Sequence, residues 1–179
     1  MTLSDFTSPG LIIPTLTKQD VAGVIQELSQ VMQAEGCVAD VWPFYHAVLS
    51  REYLVSTEMQ TGIALPHARL TDVGKLCFSF GRSETPLLWG GGVRSVRMVF
   101  LTAVPESDSM HYLLLISGLA RLTKETGLIE RLTGAVNSAE IFQVFREVPI
   151  KDNLPSDVKN TTERLGPKAS FWSRRFLKR

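Results

Sequence analysis

Histidine is the side chain best suited to nucleophilic or acid–base chemistry near neutral pH, and this chain has three: His46, His67 and His111. His67 follows Pro66 at the end of a short apolar segment, and ligand sites in open α/β sheets form where strands end. A neutral imidazole in such a place can act as a nucleophile, because its ordinary pKa is about 6.5. A partly buried histidine with a structural role is the alternative.

The second histidine of interest, His111, lies at the start of a predicted helix, directly after the longest predicted strand. Backbone N–H groups and the helix dipole favour an anion at that end of a helix. A phosphoryl group held between His67, His111 and this helix start would make chemical sense. The alternative is a surface histidine near a helix cap. His46 lies inside a predicted helix, and we interpret it as structural.

Helical periodicity predicts the elements that precede His67. Apolar residues recur at helical spacing from Val21 to Met32, with Thr17 as the expected N-cap and Gly36 as the end. Asp40 is the expected cap of a second helix that runs to about Tyr53. Residues 56–62 are polar and without a period, which predicts a loop before a short strand at 63–65.

After His67, alternating apolar residues predict a strand around residues 76–80, and residues 86–92 predict a turn. Residues 96–104 are apolar on both faces, which indicates a central strand covered on both sides. Helices are expected from about Met110 to Thr126, at 128–133, and after a cap at Ser138. Strands that alternate with helices predict an α/β layered domain.

Charge divides the chain into two parts. Residues 1–148 carry a net charge of −4 and residues 149–179 carry +5, within a total of +1 for 179 residues. The C-terminal segment combines Lys and Arg with Phe171, Trp172 and Phe176. It could be a solvated end, dock on the acidic body or on a partner, or lie on an anionic membrane surface. We therefore expect a domain at 1–148 and a basic extension at 149–179.

Several classes of function find no support in the sequence. No apolar run reaches the roughly 18 residues of a membrane span, and no secretory signal is recognisable, so we expect a cytoplasmic protein. Cys37 and Cys77 lack CxxC or zinc-ribbon spacing and are expected to be reduced thiols. Residues 90–92 are glycines without a phosphate-loop motif. No metal, cofactor or nucleic-acid partner is predicted.

Three segments together resemble a known family: Ser50–Glu52, Ser56–Thr57 and Gly62–Arg69. They are similar to the Arg-Glu, Ser-Thr and Ala-Ile-Pro-His elements of enzyme IIA domains of the phosphoenolpyruvate-dependent sugar phosphotransferase system. The similarity is to the mannitol/fructose branch, which includes the nitrogen-regulatory IIA proteins. The helix start around His111 also resembles that family, and the similarity extends over roughly residues 10–148.

This resemblance implies a mixed β-sheet flanked by helices on both faces, with His67 as the residue that accepts a phosphoryl group. It implies that His111 hydrogen-bonds the phosphoryl oxygens or the reactive ring, and that Arg51 neutralises phosphate charge. Ser56 or Thr57 would add a hydroxyl contact to the phosphate. The rings of His67 and His111 are then expected to face one shallow cleft, with Arg51 at its rim.

The same resemblance implies partner proteins, but it does not decide whether the protein serves sugar transport or regulation. The phosphoryl donor would be an HPr-like phosphocarrier, and the acceptor a sugar permease IIB component or a regulated protein. The alternatives are a transport IIA, a regulatory IIA, and a scaffold that takes no phosphate and acts by protein binding. Glu58 and Gln60 depart from the glycines that the family usually has, and Glu58 would either place negative charge near the site or point to solvent.

Overall fold

The computed structural model describes residues 1–59, 61–90 and 94–150. Within these ranges the chain forms six strands and five α-helices. Short 3-10 turns at Leu3–Phe6 and Pro9–Leu11 precede them. The strands are β1 Ile12–Ile13, β2 Glu58–Met59, β3 Ile63–Ala64, β4 His67–Leu70, β5 Cys77–Trp89 and β6 Arg94–Pro105. The helices are α1 Val21–Ala34, α2 Val41–Leu54, α3 Ser109–Leu122, α4 Thr126–Gly134 and α5 Ser138–Glu147.

The sheet is mixed and is organised around β6. Its strand order is β1-β5-β6-β3-β2, and β4 also pairs with β6. β5 runs antiparallel to β6, whereas β3 and β4 run parallel to it one after the other along the same edge. Because β3 and β4 share this edge, the chain between them, Leu65–Pro66, delivers His67 to a fixed position opposite Thr102.

Helices cover both faces of the sheet, as the sequence predicts. One face packs against α3, α4 and α5, and its centre is a cluster of four phenylalanine rings. The other face packs against α1 and α2. Along β6, Phe100 belongs to the first layer while Val99 and Leu101 belong to the second, and all three are fully buried. Burial of both faces explains why the strand has no polar alternation.

The predicted strand boundaries needed two corrections. β5 continues to Trp89, because a register shift between Arg82 and Leu87 accommodates Pro86 and returns Leu87 and Trp89 to the core. The predicted loop at 56–62 contains β2, which forms an antiparallel pair with β3. Two paired residues are too few to produce a recognisable alternation. Gln60 and residues 91–93 lie outside the described residues.

Helix starts also differ in detail from the predictions. Asp40 caps α2 as expected, but the cap of α1 is Asp20, whose carboxylate accepts a hydrogen bond from the Gly23 N–H at 2.9 Å. The predicted cap, Thr17, instead donates its own backbone N–H to Glu27. The two helices predicted at about 110–126 and 128–133 are both present, but α3 already ends at Leu122 and α4 begins at Thr126. α5 is capped by Asn137, one residue before the predicted Ser138.

The described chain ends in contact with its beginning. The Ile150 N–H donates to the Met1 carbonyl at 2.9 Å, and the buried Ile150 side chain packs beside Gly118 and Leu3. Ordered contacts of the body therefore continue for two residues into the predicted extension. Residues 151–179, which include the aromatic and basic segment, lie outside the described residues. Within the described ranges, no helix is both long enough and apolar enough to cross a bilayer.

Candidate functional site

His67 is the first residue of β4 and is held through both of its ring nitrogens. Nδ1 lies 3.0 Å from the Leu65 carbonyl oxygen, and Nε2 lies 3.1 Å from Nε of Arg51. Arg51 comes from the last turn of α2, which packs on β4. Two elements that are distant in sequence therefore converge on one half-buried imidazole.

These contacts define the tautomer of His67. A guanidinium nitrogen can only donate, so Nε2 must accept and Nδ1 must carry the proton that it donates to Leu65. Burial, aided by the positive charges of Arg51 and Arg69, lowers the pKa of His67 below its ordinary value, against the opposing effects of Leu65 and Glu52. At neutral pH the ring is therefore uncharged, with a lone pair on Nε2.

We expect the His67 ring to titrate below pH 6.5 in an NMR titration of the intact protein, because burial and two neighbouring cations disfavour the imidazolium. Arg51→Ala removes one of these cations and should move the midpoint upward, while Arg51→Lys, which keeps the charge, should move it less. Stability should fall in step as the pH drops from about 6.5 through the depressed pKa, since the unfolded chain binds that proton first. A midpoint at or above 6.5 in the unmutated protein would contradict the geometry.

A buried carboxylate lies directly behind the site. Glu52 is 4% exposed and accepts four hydrogen bonds, at 2.7 Å from Trp89 Nε1, the Thr57 N–H and the Thr57 hydroxyl, and at 3.0 Å from Ser56. Thr57 Oγ1 in turn accepts the Leu65 N–H at 3.2 Å. Through Thr57, Glu52 thereby helps to fix Leu65, the residue whose carbonyl contacts His67.

The hydroxyl groups of Ser56 and Thr57 both donate to Glu52. In this structure they organise the chain between α2 and β3, and to contact a phosphate either hydroxyl would have to exchange this partner. Direct phosphate binding by these two residues therefore remains a prediction. Their observed contacts assign them a role in positioning Leu65 and, through it, the His67 ring.

The start of α3 approaches the other side of His67. The Tyr112 ring lies 5.4 Å from the His67 ring, centroid to centroid, and Tyr112 directly follows His111. His111 Nδ1 lies 2.8 Å from a carboxylate oxygen of Asp108, the N-cap residue of the helix. Asp108 thus orients the half-exposed His111 ring and leaves its Nε2 available to another partner.

Arg69 adds a second cation to this end of the sheet. Its guanidinium donates to the Ser109 hydroxyl at 2.8 Å and to the Glu106 carbonyl at 3.1 Å, and it lies over the Tyr112 ring at 6.0 Å. These contacts join β4 to the start of α3. Since Arg69 is two residues after His67 on the same strand, the two side chains leave the sheet on the same face.

Glu58, the departure from the family pattern, does not point into open solvent. One of its carboxylate oxygens is buried, and the side chain lies against Gly90, where an added Cβ would come within 2.9 Å of the carboxyl group. Gly90 also has a φ of 58°, which favours glycine. Glu58 and Glu52 line a cavity of about 320 Å³ together with Tyr53, Trp89 and others. The negative charge is thus directed toward the Trp89–Gly90 corner.

Sequence reasoning selected His67, His111 and Arg51 but assigned no role to Glu52, Arg69, Tyr112 or Asp108. Arg69 could have been found from its spacing of two from His67 on a strand, and Asp108 from its cap position before His111. Glu52 and Tyr112 act through partners distant in sequence. Within the described ranges, no three His, Cys, Asp or Glu side chains form a group that could hold a metal.

The fold identifies the class of protein. Its topology is similar to that of the nitrogen-regulatory protein IIA-Ntr of Neisseria meningitidis, with a TM-score of 0.70 over 80% of this chain and 98% of that one at 22% identity. It is also similar to the mannitol enzyme IIA of Escherichia coli in complex with phosphorylated mannitol enzyme IIB, with a TM-score of 0.67 over 78% and 96% at 19% identity. The protein therefore has the enzyme IIA fold of this branch.

Residues 5–148 match the family "Phosphoenolpyruvate-dependent sugar phosphotransferase system, EIIA 2", and the chain belongs to it. Among relatives by sequence, a nitrogen regulatory protein of Bradyrhizobium diazoefficiens is 26% identical over 150 residues, which are 83% of this chain and 97% of that protein. The family and fold predictions are thereby confirmed.

Proposed function

We propose that the protein is a phosphocarrier that accepts a phosphoryl group on Nε2 of His67 from a phosphorylated HPr-like protein. The observation that carries this proposal is the state of the ring. Its Nδ1–H is bound to Leu65, its Nε2 lone pair faces a guanidinium, and its lowered pKa keeps it neutral. A neutral, oriented imidazole next to a cation is what a nucleophile needs to attack an anionic phosphoryl group.

The transfer requires few movements. Nε2 of His67 forms a bond to phosphorus while the bond from phosphorus to the donor histidine breaks, and the electron pair of that bond returns to the donor ring. The Arg51 guanidinium, released from Nε2, turns to the phosphoryl oxygens, which its forked geometry fits. The Nδ1–H···O bond to Leu65 persists, so the ring keeps its orientation throughout the step.

His111 and the start of α3 would contribute at the phosphoryl oxygens. His111 Nδ1 lies 2.8 Å from the Asp108 carboxylate, which orients the ring so that Nε2 could reach such an oxygen. Arg69 is hydrogen-bonded to Ser109 at the same helix start and would place a further positive charge near the phosphoryl oxygens. The roles of His111 and Arg51 in this step are proposals that rest on these contacts.

We infer a regulatory output in preference to sugar transport. The nitrogen regulatory relative aligns over nearly its whole length, which supports a function of this domain by itself. A mannitol IIA of the same fold is known in complex with its phosphorylated IIB, so transfer to a IIB component is the second candidate. A scaffold without phosphate is the third. Because the proposed donor is an HPr-like phosphocarrier, we propose a cytoplasmic location. We also propose that the basic extension at 149–179 selects partners.

The decisive test is phosphorylation of the protein itself. Incubation with phosphoenolpyruvate, enzyme I and HPr, or the nitrogen-branch carrier, should attach one phosphoryl group that is labile in acid and stable in base. Intact-mass measurement with and without enzyme I gives the result directly. If neither carrier labels the folded protein, the phosphocarrier function is wrong and the scaffold alternative is favoured.

A further inference from the structure

α2 carries an exposed aromatic stripe along its outer side. The stripe consists of Trp42, His46, Leu49 and Tyr53, which follow one another at intervals of three or four positions and therefore share one face of the helix. Trp42 is 53% exposed and Tyr53 is 68% exposed, although the core-facing side of α2 is buried. A contiguous exposed surface of this kind marks an interaction site more often than isolated apolar residues do. We call these four residues the α2 stripe.

The rings at the start of the α2 stripe are held against one another. The Trp42 and His46 rings stack at 6.2 Å, centroid to centroid, and the Tyr45 ring meets both edge-on, at 6.0 Å from Trp42 and 5.1 Å from His46. Side chains that are already ordered lose little conformational entropy when a ligand binds. Aromatic faces attract further aromatic rings and the cations of Lys and Arg. This end of the stripe therefore suits a ligand that contains both.

The other end of the α2 stripe is acidic. Tyr53 lines a cavity of about 320 Å³ whose wall also includes the side chains of Glu52 and Glu58. Residues 21–54, from the start of α1 to the end of α2, contain four carboxylate side chains against the single cation of Arg51, a net charge of −3. This charge attracts a basic ligand to the same surface that the aromatic rings line.

We propose that the α2 stripe is the docking surface for the chain's own C-terminal segment, residues 168–179. This segment contains five Lys or Arg residues, three aromatic residues and no Asp or Glu. Its charge is opposite to that of residues 21–54, and its aromatic side chains match the exposed rings of the stripe. The α2 stripe thus takes a basic, aromatic peptide that the chain itself supplies.

The connecting chain is long enough for this contact. Ile150 is fixed at the Met1 carbonyl and packs in the layer on the other face of the sheet from α2. Residues 151–167 can span about 55 Å when extended, whereas a domain of this size has a radius of gyration of only about 15 Å. Because the segment is tethered, its effective concentration is in the millimolar range, and modest affinity suffices. The proposal does not depend on the proposed phosphocarrier function.

The experiment is photo-cross-linking of the full-length protein with p-benzoylphenylalanine in place of Phe176. We expect the main product to be a cross-link within one molecule, mapped by mass spectrometry to residues 42–53. Trp42→Ala should lower its yield at least about fivefold, the loss typical of an aromatic anchor. Val136→Ala is the matched control, because Val136 is 76% exposed and lies on the other face of the sheet, between α4 and α5, and it should leave the yield unchanged.

Tryptic cleavage after Arg174 and Arg175 measures the same contact in a chain that keeps its natural aromatic residues. A docked segment is cleaved only in the fraction of molecules in which it is released. Intact-mass measurement over time should therefore show cleavage at these two positions at least about fivefold faster in Trp42→Ala than in the unmutated protein. Val136→Ala should be cleaved at the unmutated rate.

Four results would each overturn the proposal. Cross-links between two molecules would make a second copy of the chain the occupant of the stripe. Cross-links to the same molecule outside residues 42–53 would place the segment on another surface. Equal cleavage of the unmutated protein and Trp42→Ala would show that the segment is solvated. Protection from trypsin that arises only with phosphatidylglycerol vesicles would show that the segment binds an anionic membrane instead.

Discussion

His67→Ala is expected to abolish phosphorylation by the carrier while the protein stays folded. The substitution removes the only atom proposed to form the bond to phosphorus, Nε2, and His67 is half-buried at the start of a short strand rather than in the core. Loss of transfer should therefore be complete within detection, without a comparable loss of secondary structure. Intact-mass measurement after incubation with phosphoenolpyruvate, enzyme I and HPr provides the readout.

His46→Ala is the matched control for this experiment. His46 is an exposed histidine on α2 that contacts the Trp42 and Tyr45 rings and has no contact with the site. Its substitution should leave labelling unchanged, which separates the loss of one specific imidazole from the loss of any histidine. Labelling of His67→Ala at the unmutated level would exclude His67 as the acceptor, and the phosphoryl group would then have to be mapped to another residue.

Glu52→Ala is expected to lower the free energy of unfolding by about 3 kcal/mol or more, because it leaves buried donors without an acceptor. The Trp89 indole and the Thr57 N–H lose their partner, and the Leu65 peptide loses the support that reaches it through Thr57. Urea unfolding followed by fluorescence measures the loss. Glu130→Ala, an exposed carboxylate on α4, should change stability by less than about 0.5 kcal/mol.

Glu52→Gln distinguishes an effect of Glu52 on the His67 ring from its contribution to the stability of the fold. The amide keeps the shape and one acceptor oxygen, so the protein should unfold less easily than Glu52→Ala. The negative charge is lost, however, and that charge raises the pKa of His67. The His67 titration should therefore move to lower pH in a variant that remains folded. An unchanged His67 titration in folded Glu52→Gln would show that Glu52 supports the fold without acting on the histidine.

The sequence alone was sufficient for features that depend on neighbours along the chain. Helical spacing located α1 and the Asp40 cap located α2, because turns and caps are made by residues within about four positions of each other. Residues 96–104 are apolar on both faces, and this pattern, which is also local, identified the central strand. The resemblance carried by residues 50–69 indicated the family, and it selected His67, Arg51 and His111.

Short elements and long-range partners required the tertiary structure. β2 and β4 have two and four residues, and they exist because β3 and β6 supply their hydrogen bonds. Nothing in the local sequence distinguishes them from loops. In the same way, Asp20 and not Thr17 caps α1, and the Thr17 backbone N–H donates to the carboxylate of Glu27, about two turns further along the helix.

The composition of the site illustrates the same division. The sequence determined which residues could do the chemistry, since Pro66–His67 and Arg51 are readable as types and spacings. Only the tertiary structure decided which nitrogen of His67 accepts the Arg51 N–H and that Glu52 is shared by Trp89 and Thr57. Those facts depend on how α2 and the strands pack on β6. Such packing is set by the sum of many contacts between distant residues, which no local pattern records.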